Sequence, residues 1–401
     1  MKSLETYFDL PSEVKFCRRC VISNQRPNST VEMKNAGKKK DTIQFNSEGI
    51  CSACQINEDK KEIDWKEREE KLFELLEPYR SSDGSYDVLV PSSGGKDSAF
   101  AAHTLKYKYK MNPLTVTWAP NMFTKSGWAN FNNLSRVGGI DSFLYTPNGK
   151  LHSLLTKLSF VNLGHPFQPF VHGQKIIGPK LAKKFGISLI MYGENQAEYG
   201  NPIEDNRDPF MNPSFFSIDN PLDMLLGGEK VKDIMDQYGF TLNDFAPYIP
   251  PAPEEILKSN TKVTYLGYFE KWDPQECYYY AVENTGFKPA YERSIGTYSR
   301  YTEIDDKIVP FHFYMTYIKF GIGRATYDAA QEVRNSKITR EEAVYLVKKF
   351  DGEFPEKYLK EFIDYINISE DEFYRVVDKF RSPHLWMCDG NKWSLRHIIC
   401  N

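Results

Sequence analysis

Short apolar runs alternate with longer stretches of mixed polarity between residues 86 and 192. The runs have the length of buried strands, and the stretches between them have the length of helices. The predicted strands cover residues 86–90, 114–118, 141–145 and 187–192, and the predicted helices cover residues 98–109, 128–137, 150–158 and 174–185. Strands that alternate with helices in this way predict an α/β domain with a mostly parallel sheet.

Other patterns flank this region. Residues 59–80 predict a charged helix, and residues 200–221, which are rich in proline and asparagine, predict a long loop of the kind that often has a function. A second proline cluster at residues 247–253 predicts a domain boundary, and the chain beyond it is mainly helical. Two capping boxes, which begin at Thr339 and Ser369, precede predicted helices in this last part.

The composition is that of an ordinary globular protein. Hydrophobic residues make up 41% of the 401 residues and charged residues 26%, and the formal net charge of -3 gives no basic signature for nucleic acid. No apolar run reaches the roughly 20 residues that a membrane span needs. The beginning of the chain lacks the apolar core of a signal peptide, so we expect a cytoplasmic protein with no membrane or nucleic-acid partner.

Four of the seven cysteines form two tight pairs near the beginning of the chain. Cys17 and Cys20 form the first CxxC pair, and Cys51 and Cys54 form the second. Each CxxC turn aims two thiolates at one point, and two such turns complete a tetrahedral site that suits zinc. The spacing therefore predicts a structural Zn²⁺ site. The alternatives are an iron–sulfur cluster, a redox pair and four free thiols.

A glycine-rich loop joins the first predicted strand of the α/β region to the first predicted helix. Glycines let the backbone approach a phosphate, and successive N–H groups at a helix N-terminus favour an anion. The serine hydroxyls can donate to phosphate oxygens, Lys96 adds a cation, and Asp97 can help to hold Mg²⁺. The predicted ATP-binding residues of this loop are Ser93, Gly94, Gly95, Lys96, Asp97 and Ser98. The spacing matches neither GxxxxGK[ST] nor GxGxxG.

The sequence SGGKDS after an apolar strand resembles the PP-loop of the N-type ATP pyrophosphatases. The resemblance implies a parallel-sheet α/β domain of the adenine nucleotide alpha-hydrolase type, with an N-terminal four-cysteine zinc-binding module and a mainly helical C-terminal region around it. It also implies that ATP is cleaved between its α and β phosphates, that an oxygen of the acceptor is adenylated, and that a nitrogen or sulfur nucleophile then displaces AMP. Thr117 and Trp118, at the end of the second predicted strand, would border the adenosine.

A wider set of segments resembles the N-acetyl sugar amidotransferase family. These segments are FCRRC, GICSACQ, YDVLVPSSGGKDS, VTWAP, MYGEN, YIKFGIGRATYDAAQEVRN and ITREEAVYLVKKFDG, and the resemblance runs from about residue 16 to about residue 386. Members convert an acetamido group of a sugar to an acetamidino group during bacterial surface-glycan or flagellin-glycan biosynthesis, as for pseudaminic or legionaminic acid. The resemblance implies that the substrate is an N-acetylated nucleotide sugar or a nonulosonic acid.

Further candidate residues lie outside the loop. Gly193 and Glu194 follow the fourth predicted strand, where ligands bind in parallel sheets, so Glu194 is expected to position Mg²⁺ or the acceptor. Lys319 and Arg324 have the charge to stabilise departing pyrophosphate or a sugar phosphate. The predicted catalytic residues are Lys96, Asp97, Glu194, Lys319 and Arg324. A polar cluster of His165, Gln168, His172 and Gln174 is a further candidate for sugar contact or proton transfer.

These predictions divide the chain into three units. Residues 1–58 form the four-cysteine zinc-binding module, residues 59–250 the PP-loop ATP-binding domain, and residues 251–401 a mainly helical region for substrate or partner. No cysteine lies in the glycine-rich elbow typical of a glutaminase nucleophile, so we expect a separate glutaminase subunit to supply ammonia. A homo-oligomer is compatible with this interpretation.

Two other functions compete with the amidotransferase. The first is a PP-loop tRNA thiolase, against which the net charge and the four-cysteine array count. The second is a non-catalytic zinc-ribbon binding module with a degenerate nucleotide domain. The intact Ser93, Asp97 and Ser98 of the loop count against that second alternative.

Overall fold

A computed structural model gives the structure of residues 4–28, 41–120, 122–195, 208–211, 217–390 and 392–400. Its strands are β1 (Val88–Pro91), β2 (Pro113–Trp118), β3 (Asp141–Tyr145), β4 (Leu189–Tyr192), β5 (Leu225–Leu226), β6 (Glu229–Lys230), β7 (Lys262–Tyr265), β8 (Trp386–Asp389) and β9 (Lys392–Leu395). A parallel five-stranded sheet has the order β3-β2-β1-β4-β7, whereas β5-β6 and β8-β9 form two small antiparallel pairs.

Helices surround this sheet and make up most of the C-terminal region. They are α1 (Ser52–Asp59), α2 (Trp65–Leu76), α3 (Lys96–Tyr107), α4 (Lys125–Arg136), α5 (Gly149–Leu158), α6 (Gln168–Phe185), α7 (Val231–Tyr238), α8 (Leu242–Phe245), α9 (Pro253–Ser259), α10 (Leu266–Phe269), α11 (Pro274–Thr285), α12 (Val309–Phe320), α13 (Arg324–Arg334), α14 (Arg340–Phe350), α15 (Leu359–Ile366) and α16 (Glu370–Lys379). Within the ranges given above, no helix has both the length and the apolar character needed to cross a bilayer.

The strand order creates a topological switch point between β1 and β4. From β1 the chain moves outward through β2 to β3, and it returns on the other side of β1 with β4 and then β7. The loops after β1 and β4 therefore leave the carboxyl edge of the sheet side by side. In open α/β sheets, ligands bind in the crevice at this point. The first of these two loops is the glycine-rich loop, and the second begins at Gly193.

The central strands are buried on both faces, as parallel sheets generally are. Leu89 and Ile190 point to one face, where they share a core with α5, α6 and α7. Their neighbours Val88, Val90 and Leu189 point to the other face, where they pack with α2, α3 and α11. Because side chains alternate along a strand, one short apolar run supplies both cores.

Two further cores lie outside the sheet. The first joins α12, α15 and α16 and includes Leu10 from the beginning of the chain. The second joins the four-cysteine segment to α13 and α14. The backbone oxygen of Glu5 accepts a hydrogen bond from the His384 N–H, so the two ends of the chain meet in the first of these cores.

The structure confirms the predicted α/β pattern, with shifts at the ends of elements. Each of the four predicted strands has a counterpart in β1 to β4, and each of the four predicted helices has one in α3 to α6. The helix α6 begins at Gln168, six residues before the predicted start, because Pro169 lies in its first turn, where a proline is tolerated. The capping box at Thr339 is present, and the Ser369 hydroxyl caps α16.

The sheet extends beyond the predicted domain boundary. Its edge strand β7 lies at residues 262–265, past residue 250, where the sequence predicts the end of the ATP-binding domain. The segment that supplies the sheet therefore extends past residue 250, the predicted end of the 59–250 unit. Of the predicted loop at 200–221, residues 200–207 and 212–216 lie outside the described residues.

Candidate active site

The four paired cysteines converge on one buried point. The sulfur atoms of Cys17, Cys20, Cys51 and Cys54 all lie within 4.8 Å of one another. The Sγ–Sγ distance is 3.9 Å between Cys17 and Cys54 and 3.7 Å between Cys20 and Cys51. A tetrahedral centre with zinc–sulfur bonds of about 2.3 Å holds its sulfurs about 3.8 Å apart. The arrangement of the sulfurs thus fits a single tetrahedral metal ion.

Backbone N–H groups and apolar residues enclose these sulfurs. The Cys17 sulfur accepts hydrogen bonds from the backbone N–H groups of Arg19, at 3.4 Å, and of Cys51, at 3.3 Å. Hydrogen bonds from the neighbouring cysteines lower the pKa of Cys17, whereas burial raises that of Cys20. The cluster packs on α13 and α14. Four buried thiolates would fill a tetrahedral shell, which is typical of a structural rather than a catalytic metal site.

Gly94 gives the glycine-rich loop its shape. Its φ of +83° lies in the left-handed region, which side chains other than glycine's strongly disfavour. A Cβ atom at this position would also lie 2.7 Å from the backbone N and Cα of Phe131 in α4. Both the dihedral angle and the close approach of α4 therefore require glycine at residue 94.

Hydroxyl groups hold the two ends of the loop together. The Ser92 hydroxyl accepts a hydrogen bond from the Gly94 N–H at 3.1 Å and lies 2.9 Å from the Ser98 hydroxyl. The Ser98 hydroxyl in turn donates to the Gly95 carbonyl at 3.1 Å. Ser98 was predicted to contact phosphate, but its hydroxyl is used within the loop.

The helix α3 begins directly after the loop, at Lys96. Its N-cap is Gly95, which has no side chain to bond the first N–H groups of the helix. These N–H groups and the positive end of the helix dipole make the start of α3 suitable for an anion. Gly95 and Lys96 both line the cavity described below, so this end of the helix opens onto it.

Lys96 and Asp97 form an ion pair at the start of α3. The Lys96 ammonium lies 2.5 Å from one carboxylate oxygen of Asp97. Burial opposes the charge of Lys96, but the carboxylates of Asp97 and Glu194 outweigh it and raise the pKa of the ammonium. Among the described residues, the second oxygen of Asp97 is buried and has no hydrogen-bond partner. A buried carboxylate oxygen without a donor is the type of ligand that Mg²⁺ takes, so Asp97 fits this role.

A cavity of about 1080 Å³ opens in front of the loop. Pockets for small molecules usually have volumes of about 300–1,000 Å³, so this cavity can hold a nucleotide and a second molecule together. The predicted residues on its wall are Ser93, Gly94, Gly95, Lys96, Asp97, Glu194, Lys319 and Arg324. The structure therefore brings five of the six predicted loop residues and all five predicted catalytic residues to one cavity.

Arg324 faces this cavity with its charge already balanced. Its guanidinium lies 2.9 Å from a Glu303 carboxylate oxygen and 2.8 Å from one of Asp328. It also lies over the Phe313 ring, 4.9 Å from the ring centroid. These contacts fix Arg324 at the start of α13 and give it less positive character than the sequence predicts.

Lys319 has a different environment. Its ammonium donates to the Leu163 carbonyl at 2.6 Å. The rings of Phe8, Phe320 and Phe380 surround it, with centroids at 4.9, 5.2 and 5.5 Å. Aromatic faces attract a cation without cancelling its net charge. These contacts therefore position the Lys319 ammonium, and Lys319 lines the cavity.

Four predicted ATP-binding residues do not reach the wall. Among the described residues, those that line the cavity do not include Ser98, Thr117, Trp118 or Gly193. Trp118 is 1% exposed and packs between Tyr145 and Tyr248 in the core, because a side chain at the end of a parallel strand can point into the covering helices. Gly193 lies behind the loop, where an added Cβ would meet the Trp272 ring at 2.7 Å.

The predicted polar cluster lies at the start of α6, and three of its members, His165, Gln168 and His172, line the cavity. The His165 ring stacks on His312 with a centroid distance of 4.5 Å. His172 is 6% exposed, and its Nε2 lies 2.6 Å from the Tyr248 carbonyl oxygen. Burial lowers the pKa of His172 to about 4, so this histidine is neutral near pH 7 and is unsuited to acid–base work there.

The sequence did not identify Asp305, Arg26 and His312 as wall residues. The Asp305 carboxylate accepts a hydrogen bond from Ser93, and burial raises the pKa of Asp305. For His312, the available signal was a polar residue inside the apolar run of α12. For Arg26, no local pattern gave a signal.

Comparison with known proteins identifies a family similarity in the C-terminal region. Residues 295–398 match the family described as "LPS biosynthesis protein WbpG-like, C-terminal domain". This match covers about a quarter of the chain and contains Lys319, Arg324 and helices α12 to α16. The C-terminal region is therefore similar to a domain of glycan-biosynthesis proteins.

Two other similarities are weaker. An uncharacterized protein of Methanocaldococcus jannaschii is 28% identical over 107 residues, which are 27% of this chain and 38% of that protein. The chain thus spans about two fifths of this curated relative. A solved structure, the U34-tRNA thiolase NcsA from Methanococcus maripaludis with its [4Fe-4S] cluster, is similar with a TM-score of 0.28 and 14% identity. That similarity covers 81% of this chain and 90% of the thiolase.

Proposed function

We propose that this protein is an ATP-dependent, AMP-forming amidotransferase that converts an acetamido group of a sugar to an acetamidino group. The observation that supports this proposal most is the position of the SGGKDS loop. It lies at the switch point of a parallel sheet and faces a cavity with room for ATP and an acceptor. The similarity of residues 295–398 to a domain of LPS biosynthesis proteins supports a sugar as that acceptor.

The proposed reaction has two steps. First, the acetamido oxygen attacks the α-phosphorus of ATP, and the bond to the β-phosphate breaks to release pyrophosphate. Second, ammonia adds to the activated carbon, and AMP leaves with the original oxygen. An oxygen atom of the sugar is thereby replaced by NH, and AMP and pyrophosphate are the other products. The amide oxygen is a poor leaving group until it is joined to AMP, which is why the reaction consumes ATP.

The chain's own residues hold the charges that develop in these steps. The start of α3 and the Lys96 ammonium face the cavity where pyrophosphate would depart. Preorganised donors and cations of this kind stabilise the transition state because they need no rearrangement during the reaction. Asp97 would hold Mg²⁺ through its second oxygen, and Mg²⁺ supplies charge neutralisation to the phosphates. Lys319 contributes a further cation from the C-terminal region.

The proposal also covers the cofactors and partners. The sulfur spacing supports zinc in the four-cysteine site, in a structural role. Glu194, on the cavity wall near Lys96, would position the acceptor or Mg²⁺. Ammonia would come from a separate glutaminase subunit. Among the described residues, Cys277 is two positions along the chain from Gln275, which lines the cavity. Burial raises the pKa of the Cys277 thiol, and a nucleophilic cysteine needs a lowered pKa instead.

The decisive experiment is an acceptor screen. Purified protein is incubated with ATP, Mg²⁺, ammonium chloride and one N-acetylated nucleotide sugar or nonulosonic acid at a time. AMP is quantified by chromatography, and sugars by mass spectrometry. We expect AMP with one sugar, whose mass falls by about one dalton. The Lys96→Met variant serves as the control for contaminating enzymes.

Other products would contradict the proposal in distinct ways. ADP as the product would exclude cleavage between the α and β phosphates. AMP formed with unmodified tRNA and a sulfur donor, and with none of the sugars, would identify a tRNA thiolase. An absence of nucleotide turnover under all conditions would favour a non-catalytic binding protein.

A further inference from the structure

One glycine of the β5–β6 hairpin holds two side-chain amides on the cavity wall. Gln168, at the start of α6, and Asn162, six residues earlier, both line the cavity. Gly227, in the turn between β5 and β6, forms a hydrogen bond with each of them. Gln168 belongs to the polar cluster predicted from the sequence, whereas Asn162 and Gly227 do not. The arrangement of the two amides shows which chemical group they can bind.

The Gln168 amide is buried in one fixed orientation. Gln168 is 3% exposed, and its Oε1 accepts hydrogen bonds from the Gly227 N–H at 3.3 Å and from the Ser159 hydroxyl at 3.2 Å. Because a backbone N–H can only donate, the atom that faces Gly227 must be the oxygen. In the part of the chain that the structure describes, the Gln168 NH₂ group has no hydrogen-bond partner. Gln168 therefore offers N–H donors to a molecule in the cavity.

The Asn162 amide has the opposite orientation. Its Nδ2 donates to the Gly227 carbonyl at 3.0 Å and to the Glu229 carboxylate at 3.0 Å. Because both of these partners are acceptors, the nitrogen must face them, and Oδ1 remains as an acceptor. No residue within the described ranges donates to that oxygen. Gly227 thus orients one amide to present donors and the other to present an acceptor.

The hairpin packs closely against this part of the wall. Gly227 has a φ of +61°, and a Cβ atom there would lie 2.6 Å from the Leu158 Cβ. Asn162 lies within a π-helix, Ser159–Leu163, an element that is rare and frequently found at functional sites. The hydrogen bonds and the close contact restrict both amides before any ligand arrives. Preorganisation of this kind reduces the entropy that binding costs.

We infer that Gln168 and Asn162 bind an acetamido group of the acceptor. The Gln168 NH₂ group donates to the acetamido carbonyl oxygen, and Asn162 Oδ1 accepts from the acetamido N–H. A secondary amide has one donor and one acceptor, which match the two groups on the wall. A ligand without the acetamido group leaves the polar atoms of the site unpaired and binds less tightly. The inference rests on the proposed function for the identity of the acceptor as an N-acetylated sugar.

Isothermal titration calorimetry of the full-length protein tests this inference without catalytic turnover. The probes are two matched pairs. UDP-N-acetylglucosamine is compared with UDP-glucose, and N-acetylneuraminate with the nonulosonate that has a hydroxyl in place of the acetamido group. We expect the wild-type protein to bind the acetamido member of at least one pair about 10-fold or more tightly than the hydroxyl member.

The variants change this ratio of Kd values if the two amides recognise the acetamido group. Gln168→Glu keeps an oxygen toward Ser159 and Gly227 but replaces the NH₂ group with a second oxygen, and should lower the ratio by about 10-fold. Any effect of the new charge acts on both members of a pair and cancels in the ratio. Asn162→Ala removes only the acceptor and should lower the ratio by a smaller factor. Since Asn162 is exposed, this variant gives the same test with little risk to folding.

Gln237→Glu is the matched control. It makes the same substitution at an exposed position of α7, the helix that follows the hairpin, and should keep the wild-type ratio. Melting curves of all variants report whether they fold.

Three results would overturn the inference. They are a wild-type protein that does not prefer the acetamido member of either pair, a wild-type ratio in both amide variants, and equal weakening of both members of a pair. Failure of the proposed function has a different signature. If no sugar supports AMP formation while the amide variants still lose the preference, the acetamido site stands and the amidotransferase reaction falls.

Discussion

Gly94 and Gly84 have almost the same φ angle but different surroundings. Comparing alanine variants at the two positions distinguishes the cost of backbone strain from the cost of a steric clash. Gly94 has a φ of +83° and Gly84 a φ of +84°. A Cβ at Gly84 would have no heavy atom within 4 Å among the described residues, whereas a Cβ at Gly94 would lie 2.7 Å from the Phe131 backbone. We expect Gly84→Ala to lower the free energy of unfolding by about 1–2 kcal/mol, through strain alone. Gly94→Ala should lose clearly more, because α4 must also move.

Urea denaturation of both glycine variants measures this difference, and ATP titration shows its effect on the loop. Gly94→Ala should also weaken ATP binding, whereas Gly84→Ala should not. Equal losses of stability in the two variants would show that α4 moves without cost and that strain is the whole effect.

Lys96 is the residue whose charge the proposed reaction uses most directly. Lys96→Met keeps the length and the apolar stem of the side chain but removes the ammonium that faces the cavity. We expect the rate of AMP formation to fall by about 10²- to 10³-fold, which is typical for the loss of one preorganised group that stabilises the transition state. Steady-state assays with saturating ATP measure the change.

Lys106, in the last turn of the same helix, offers the matched control. It lies at the opposite end of α3 from the cavity, where its ammonium donates to the Gly139 carbonyl. Lys106→Met should retain nearly wild-type AMP formation. If both variants lost activity equally, the effect would lie in the stability of α3 and not in the charge at its start.

At the scale of elements, Tyr248 connects two helices on one face of the sheet. His152 of α5 lies 2.6 Å from the Tyr248 hydroxyl through Nδ1, and His172 of α6 lies 2.6 Å from the Tyr248 carbonyl oxygen through Nε2. Burial lowers the pKa of His152 to about 3 and that of His172 to about 4. Both imidazoles are therefore neutral in the folded protein at pH values where the unfolded chain, with a pKa of about 6.5, already binds protons.

These pKa values predict a loss of stability in acid. Stability is full above pH 6.5 and falls as the pH drops through the window between 6.5 and the folded-state pKa of each histidine. Each histidine should lower the free energy of unfolding by about 2 kcal/mol between pH 6.5 and pH 5. Urea denaturation at several pH values measures the slope. A His152→Gln, His172→Gln double variant should have a flatter slope, and His397→Gln, which changes an exposed histidine, should not.

The elements between residues 86 and 192 were predictable because their patterns are local. Short apolar runs and the helices between them identify β1 to β4 from neighbouring residues alone. The edge strand β7 was not predicted, because it is a run of only four residues that follows a proline cluster; in the structure it pairs with β4. The same distinction holds at the site. The residues from Ser93 to Asp97 form a local motif, whereas Arg26 and Asp305 reach the cavity only through tertiary contacts.

At the scale of the whole molecule, the four-cysteine cluster joins the beginning of the chain to its C-terminal region. Cys17, Cys20, Cys51 and Cys54 share a core with α13 and α14, and α13 holds Arg324 and Tyr327. We expect removal of the metal to lower the melting temperature of the whole protein and to raise hydrogen exchange in α13. A bound metal is a ligand of the folded state, and a ligand present at about 1,000 times its Kd stabilises that state by about 4 kcal/mol. The fall in melting temperature on removal of the metal should therefore be large.

Cysteine variants test this coupling. Cys51→Ser should reduce the bound metal and reproduce the effects of a chelator, whereas Cys388→Ser, which changes an exposed cysteine, should bind metal and melt like the wild type. Elemental analysis and hydrogen exchange are the measurements. Normal exchange in α13 of the metal-free protein would show that the cluster stabilises only its own segment.

The contact between the cysteine cluster and α13 also has a consequence for synthesis on the ribosome. All four thiols lie within residues 17–54, so the nascent chain can capture its metal early. The apolar surface around Ile22 and Ile43 is covered only after Ile322 has emerged, about 270 residues later. At elongation rates of about 5–20 residues per second, that surface is exposed for roughly 15–50 s. The four-cysteine segment therefore exposes this apolar surface until α13 has been synthesised. We expect chaperones that act on nascent chains to bind the surface during that time.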